Sequence, residues 1–504
     1  MSVKRTKYGT SNWTRRALLA GLAASVASPA LANPPETSLR PRMRGVGLAK
    51  ARVAGPETLV DAAGLSGRVS YAVADARTGL LLEGRNATTG TLPASVAKAL
   101  TALYALDVLG AEHRFITRVL ATGGVSDGVV QGDLVLSGGC DPTLDTNALA
   151  ELAAALKGAG IRGVTGEFIV DDTALPSIDT IDPDQPDHVG YSPAISGIAL
   201  NYNRVHFEWR RGSSGYAVTM DARSDRYRPD VTMARMRIED RAAPVYTYAD
   251  RAGRDEWSVA RGALGKGGAR WLPVRKPGLY AGEVFATLAR AHGIVLKPPR
   301  LAAAPVTGRE LANVRSVPLR GMLRDMLRYS TNLTAEMVGL AASRKRIGPV
   351  ASLAQSAAEM NSWARGALGL GSPALADHSG LGEASRLSAD DMVRALVAAH
   401  AEARLRPILK SVAMRDSKGR PRKDHPLEVV AKTGTLNFVS GLAGYVTATD
   451  GTELAFAIFA ADTDARSKIA RADREAPRGA RPWNARAKRL QQQLLERWGV
   501  LYGT

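Results

Sequence analysis

The chain has 504 residues, of which 45% are hydrophobic and 23% charged. That is enough for about three domains or for one large body with an insertion, and it argues against wholesale disorder, collagen or coiled coil. The 67 Lys and Arg against 48 Asp and Glu give a formal +19, and 52 of those cations are Arg. Such a charge suits an anionic polymer or membrane surface. No helix-turn-helix, zinc-finger or RNP-type aromatic motif accompanies it, so nucleic acid is not an expected partner. Cys140 is the single cysteine, and the seven His residues are scattered without HExxH spacing. A disulfide, a Cys-based zinc site or any other metal site is therefore not expected, and Cys140 reads as a small buried residue.

Residues 1–32 read as an export signal. Lys4, Arg5, Lys7, Arg15 and Arg16 precede an uncharged run from Ala17 that ends in Ala30-Leu31-Ala32, an A-x-A cleavage pattern. Thr14-Arg15-Arg16-Ala17-Leu18-Leu19 is similar to a twin-arginine signal, with an ordinary Sec signal as the alternative. The uncharged run is too short for a bilayer span, and no later stretch qualifies. The expected location is therefore periplasmic, exported and soluble, with no transmembrane anchor, which leaves room for peripheral association with cell wall or membrane. Removing the five basic residues of the signal from 67 leaves 62 against 48 acids, a net +14.

Asn33 to about Pro56, rich in Pro, Gly and Arg, reads as a lead-in. Val69 to Leu82 has strand-like runs broken by a turn at Asp75-Ala76-Arg77-Thr78-Gly79, and Ala94 to Leu109 reads as a helix stopped by Gly110. From about Phe115 to Arg300 the texture is of short β-like stretches, such as Gly132–Leu136, Gly166–Val170 and Val205–Trp209, between Gly, Asp and Pro clusters. Helical patterns return at 319–327, 333–343, 350–368 and 389–401. Strand patterns follow at 427–432, 442–447 and 454–460, then an amphipathic helix at 485–498.

Three short motifs carry chemistry. Ser95-Val96-Ala97-Lys98 puts a hydroxyl and an amine on one face of a helix start, where the free N–H of Ser95 favours an anion. Ser330-Thr331-Asn332 falls at a junction between two helices, where a helix cap is the plain alternative. Lys432-Thr433-Gly434-Thr435 follows the β-branched pair Val429-Val430 on an expected strand, where glycine lets a substrate backbone approach closely. Each motif alone is weak.

In this order, S-x-x-K, S-x-N and K-T-G resemble the penicillin-binding proteins and serine β-lactamases. The 235 residues from Ser95 to Ser330, together with Gly139-Cys140-Asp141-Pro142, Val170-Asp171-Asp172, Tyr191-Ser192-Pro193, Leu200-Asn201, Ala335-Glu336 and Leu442-Ala443-Gly444-Tyr445, narrow the resemblance. It is to the D-alanyl-D-alanine carboxypeptidases and endopeptidases of low-molecular-mass class C. The resemblance implies an α+β fold: a transpeptidase-like domain, an antiparallel sheet flanked by helices, interrupted by a largely β insertion. Its parts would be residues 33–118, the insertion 119–306 and residues 307–504.

It also implies that Ser95 is acylated by stem peptides and cross-links of peptidoglycan, with β-lactam antibiotics as covalent inhibitors and no cofactor. Lys98 would be the base, which requires its pKa to fall from about 10.4 by about three units, or about 4 kcal/mol, through burial and the charge of Lys432. In the alternative, Lys98 stays charged and Ser330 carries the proton. Asn332 would bind the substrate peptide group. Lys432, Thr433 and Thr435 would hold the terminal carboxylate, and the N–H groups of Ser95 and Thr435 would form the oxyanion hole. One stretch departs from the family's D-G-S-G-L-S-R-x-N-R-V-S. It reads Asp377-His378-Ser379-Gly380-Leu381-Gly382-Glu383-Ala384-Ser385-Arg386-Leu387-Ser388, which keeps Arg386 as a candidate substrate-binding residue and puts substrate preference in doubt. The competing readings are a serine β-lactamase or esterase on the same scaffold and a non-catalytic wall-binding protein.

Overall fold

The computed structural model describes residues 53–416 and 418–503. The export signal and most of the lead-in expected from the sequence lie outside the described residues. Strands β1 (Arg68–Asp75) and β2 (Leu81–Arg85) form an antiparallel hairpin. Its turn is built by Asp75, whose carboxylate accepts from the N–H groups of Arg77 and Thr78 at 3.1 and 2.7 Å, a local bond that competes with strand pairing and so ends it. A single 3-10 turn, Ala94–Val96, leads into helix α1 (Ala97–Leu109), which stops at Gly110 with φ +93°.

After a long intervening stretch come helices α2 (Leu319–Tyr329), α3 (Asn332–Ile347), α4 (Leu353–Leu368) and α5 (Ala389–His400). The side chains of Ser352 and Ser388 cap α4 and α5 by accepting from the N–H groups of Gln355 and Asp391. Strands β3 (Lys410–Ser411), β4 (Glu428–Leu436), β5 (Val439–Thr447) and β6 (Glu453–Ala461) and the long helix α6 (Ala480–Tyr502) complete the body.

One antiparallel sheet joins the two ends of the chain in the order β3-β4-β5-β6-β1-β2. Its two faces are covered by different elements, which gives it two cores. On one side α1, α3 and α5 bury Leu100, Leu103, Met337, Leu340, Met392 and Leu396 against Ala443, Tyr445 and Phe459. On the other, Trp483, Leu490, Leu494 and Trp498 of α6 pack on Val429, Leu442, Phe456 and Ile458. Every residue of α1 from Ala97 to Ala105 is buried, so the apolar face read from Leu100 and Leu103 is the whole circumference of a central helix. That position fixes both ends of the S-x-x-K motif.

Between α1 and α2 the chain builds a five-stranded sheet, which includes Ile116–Ala121, Leu134–Ser137, Phe168–Asp171 and Arg309–Arg315, and further three-stranded sheets around Arg204–Arg211 and Arg254–Ala260. They share a hydrophobic cluster of their own. Two helices run among these strands, Thr146–Gly158 and Pro277–Ala291, which the reading of this stretch as β-like did not single out. The first is capped by Asp145, whose carboxylate accepts from the N–H of Ala148 at 2.8 Å, and buries Leu149, Leu152 and Leu156. Cap and periodicity are both in the sequence; the Gly, Asp and Pro clusters around them masked the signal.

Candidate active site

Ser95 sits in the 3-10 turn ahead of α1, after Ala94, whose φ of +46° is costly for a residue with a Cβ. Strand β4 holds this turn in place. A Cβ on Gly434 would lie 2.8 Å from the carbonyl oxygen of Pro93 and 3.1 Å from the nitrogen of Ser95. Glycine is therefore required for the approach of the strand to the turn that carries Ser95. The sequence argument had assigned that need to a substrate backbone.

Lys98 is fully buried, and its Nζ makes three short contacts: 2.9 Å to Ser95 Oγ, 2.7 Å to Asn332 Oδ1 and 2.8 Å to the Ser379 carbonyl oxygen. Two of these partners can only accept, so they take two N–H bonds of the amine. The third direction, toward Ser95 Oγ, is filled by an N–H in the charged amine and by the lone pair in the neutral one. Burial pushes the Lys98 pKa down to about 8, while the carboxylates of Glu336 and Asp377 oppose that fall. Burial is thus the leading cause. The charge of Lys432, which the sequence argument invoked for Lys98, is not among the causes; the effect runs the other way, since Lys98 helps depress Lys432.

Ser330 ends α2 in the left-handed region at φ +60°, and Asn332 begins α3. The bend between the helices brings both side chains to the cleft. Asn332 accepts from Lys98 and donates through Nδ2 to the carbonyl of Tyr191, at 2.9 Å. Lys432, buried on β4, donates to Ser330 Oγ at 3.0 Å and to the Thr433 carbonyl at 2.6 Å. Its pKa is pushed well below the usual lysine range, first by burial and then by the charges of Lys98 and Lys410.

One turn along α3 from Asn332, Glu336 is wholly buried, and its two oxygens accept from the consecutive N–H groups of His378 and Ser379 at 2.9 and 2.8 Å. This clamp fixes Ser379, the residue whose carbonyl meets Lys98. Burial and Asp377 push the Glu336 pKa up to about 8 against the pull of those donors and of Lys98. The sequence shows Glu336 only as part of a family match. The i,i+4 spacing to Asn332 is the signal that puts both on one helix face.

The cleft, of about 360 Å³, is lined by Ser95, Ser330, Asn332, Thr435, Gln185, Tyr191, Arg466 and Arg474 among others. The structure therefore brings Ser95, Lys98, Ser330, Asn332, Lys432, Gly434 and Thr435 together, and Thr433 lies next to them along β4. Arg386 does not line the cleft; its guanidinium donates to the carbonyls of Glu383 and Ser385. Arg466 and Arg474, for which the sequence offers no signal, stand there instead. Both contact Glu383 Oε1, at 3.2 and 3.1 Å. Arg474 also lies 3.9 Å from Asp184, so two guanidinium groups and two carboxylates form an ion-pair network at this wall of the cleft. The departing stretch thus has two structural uses: Glu383 positions this pair, and His378 fills the space left by Gly339, where a Cβ would come within 2.2 Å of the imidazole.

The family model described as the D-Ala-D-Ala carboxypeptidase 3 (S13) family matches residues 56–477. A D-alanyl-D-alanine carboxypeptidase of Actinomadura sp. (strain R39) is 29% identical over 442 residues, 80% of this chain and 79% of that protein. The D-alanyl-D-alanine carboxypeptidase DacB of Haemophilus influenzae is 26% identical over 411 residues, 74% of this chain and 81% of that protein. The crystal structure of penicillin binding protein 4 (dacB) from Haemophilus influenzae has the same fold, with a TM-score of 0.69 over 88% of this chain and 99% of that chain, at 21% identity.

Proposed function

Because this chain belongs to the D-Ala-D-Ala carboxypeptidase 3 (S13) family, we infer that it is a penicillin-sensitive serine D-Ala-D-Ala carboxypeptidase/endopeptidase whose nucleophile is Ser95. The observation that carries the residue assignment is the 2.9 Å contact between Ser95 Oγ and a buried amine whose other two contacts are to carbonyl oxygens. Neutral Lys98 accepts the Ser95 proton as Oγ attacks the carbonyl of the penultimate D-Ala. The N–H groups of Ser95 and Thr435 receive the oxyanion, a stabilisation of about 3 to 4 kcal/mol per donor in comparable sites.

Ser330, whose oxygen accepts from Lys432 Nζ, is free to turn its own proton into the cleft and pass it to the leaving amine, and it takes in exchange the proton that Lys98 received from Ser95, which returns Lys98 to its neutral form. The C–N bond then breaks, D-Ala or a cross-linked stem peptide departs, and water releases the acyl group from Ser95. Asn332 orients Lys98 as well as the substrate peptide. The terminal carboxylate meets the hydroxyls of Thr433 and Thr435 in the field of buried Lys432. We read Arg386 as supporting the loop that carries Glu383.

Residues 119–306 are read as an insertion into the catalytic body. The sheet that joins β1 to β6 across the whole intervening chain supports that reading. The partners are peptidoglycan peptides, with β-lactams as covalent inhibitors. The site of action is the periplasm, reached through the signal at 1–32. No helix of the described residues is long and apolar enough to cross a membrane.

The test is intact-mass analysis after exposure to a β-lactam. Wild type gains one covalent adduct that persists for minutes to hours, and Ser95→Ala gains none. Rapid loss of the adduct with turnover would instead point to a β-lactamase, and an adduct on Ser95→Ala would remove Ser95 from its role.

A further inference from the structure

A second cavity adjoins the cleft and shares Thr435 with it. It is a groove of about 1180 Å³ between α6, the loop after β3 and the β4 segment Thr433–Thr435. Six cations line it, Lys410, Arg415, Lys418, Arg422, Lys488 and Arg489, against two acids, Asp416 and Glu496. Both acids are already engaged, Asp416 with Arg420 at 2.8 Å and Glu496 with His425 at 3.5 Å. Among the described residues none of the six cations makes an ion pair in the groove, and Lys410 lies close enough to Lys488 for their charges to repel.

A groove with this much positive charge that no carboxylate offsets sets up a local potential that draws anions into it. The strand geometry points the same way. β3 pairs with β4 only at Lys410↔Ala431 and Ser411↔Val430, so the β4 edge from Lys432 onward is left unpaired by β3, and an extended peptide can add to it.

We propose that this groove is a second substrate subsite that holds a carboxylate-rich peptide strand of the cell-wall polymer, continuous through Thr435 with the peptide being cleaved. The proposal rests on the carboxypeptidase/endopeptidase reading of the cleft and extends it from a peptide terminus to the polymer that bears it. Residues 33–52 carry Arg40, Arg42, Arg44, Lys50 and Arg52 against the single acid Glu36, so the sequence of that segment does not have the charge that complements the groove. A peptide strand is favoured over nucleic acid because the groove ends on an open β edge, which pairs with extended peptide backbone.

The test uses the full exported chain and its Lys488→Glu/Arg489→Glu variant, two exposed positions on α6. Co-sedimentation with purified peptidoglycan sacculi is measured from about 10 mM to about 1 M salt, over which the screening length falls from about 30 to about 3 Å. The ratio of kcat/KM on sacculi to that on a soluble pentapeptide ending in D-Ala-D-Ala is measured in parallel.

Wild type is expected to pellet at low salt and release at high salt. The variant should lose about ten-fold in pelleting and about ten-fold in the kcat/KM ratio, as loss of rim charge complementarity predicts. Sacculi with chemically amidated carboxyl groups should bind wild type as weakly as native sacculi bind the variant. Equal pelleting of variant and wild type, undiminished binding to amidated sacculi, or equal competition by a double-stranded DNA fragment would each overturn the proposal. Adduct formation with a β-lactam is read in the same samples, so that failure of the groove and failure of the cleft assignment are distinguishable.

Discussion

Lys98 carries opposing demands that its surroundings resolve. In its proposed role as base it must be neutral, and burial lowers its pKa to about 8, while Glu336 and Asp377 keep it from falling further. The neutral fraction rises with pH up to that value, so the second-order rate of β-lactam acylation should climb about ten-fold per pH unit below about 8 and level off above it. Glu336→Gln removes a charge that favours protonated Lys98 and one of the two acceptors that hold the 378–379 peptide. Its rate profile should level off at lower pH with a lower plateau, whereas an unshifted profile would show that Glu336 acts only as packing. The same depression has a stability consequence. The unfolded lysine binds its proton up to about 10.5 and the folded one only to about 8, so between these values the unfolded state holds more protons and this group's contribution to stability rises with pH.

At the scale of elements, the site depends on contacts that exclude a single methyl group. α3 passes the 377–379 loop so closely that Gly339 has no room for a Cβ beside His378. His378 in turn is buried, lies 2.7 Å from Ser356 Oγ, and has its pKa pushed down to about 3, so it is neutral throughout the working range. Gly339→Ala should destabilise the protein by about 1 to 3 kcal/mol through overpacking. Adding His378→Gly should recover much of that loss, measured by a double-mutant cycle of thermal or denaturant unfolding; a strictly additive cycle would show the two positions are independent. The β4 strand, the bend between α2 and α3 and the start of α1 were legible in the sequence, because turn residues and β-branched runs act locally. The function of Glu336 was not, because its partners lie more than 40 residues away along the chain.

At the scale of the molecule, the stretch between α1 and α2 and the C-terminal stretch meet beside the cleft. Glu475 accepts from Arg270 and contacts His188, both at 2.8 Å, and Arg471 reaches Asp187 at 2.7 Å. These pairs are half-exposed and contribute little stability individually. They tie the segment bearing Arg466 and Arg474 to the loop bearing Tyr191, whose carbonyl receives Asn332. Arg471→Ala/Glu475→Ala should leave the melting temperature nearly unchanged and raise KM for a stem peptide several-fold with little change in kcat. A fall in kcat at constant KM would place these pairs in the chemical step instead.

The sequence by itself determined the nucleophile motif, the strand and interhelical motifs that accompany it, the mixed helix and sheet class and the family, because each is written in contiguous residues whose local conformations are set by short-range sterics and hydrogen bonds. The tertiary structure alone decided that Glu336 holds the backbone of Ser379, whose carbonyl faces Lys98, that Arg466 and Arg474 rather than Arg386 face the cleft, and that Gly434 serves the turn of Ser95. Each of those outcomes depends on which distant segments become neighbours and how far water is excluded between them, and neither quantity is carried by any one stretch of chain.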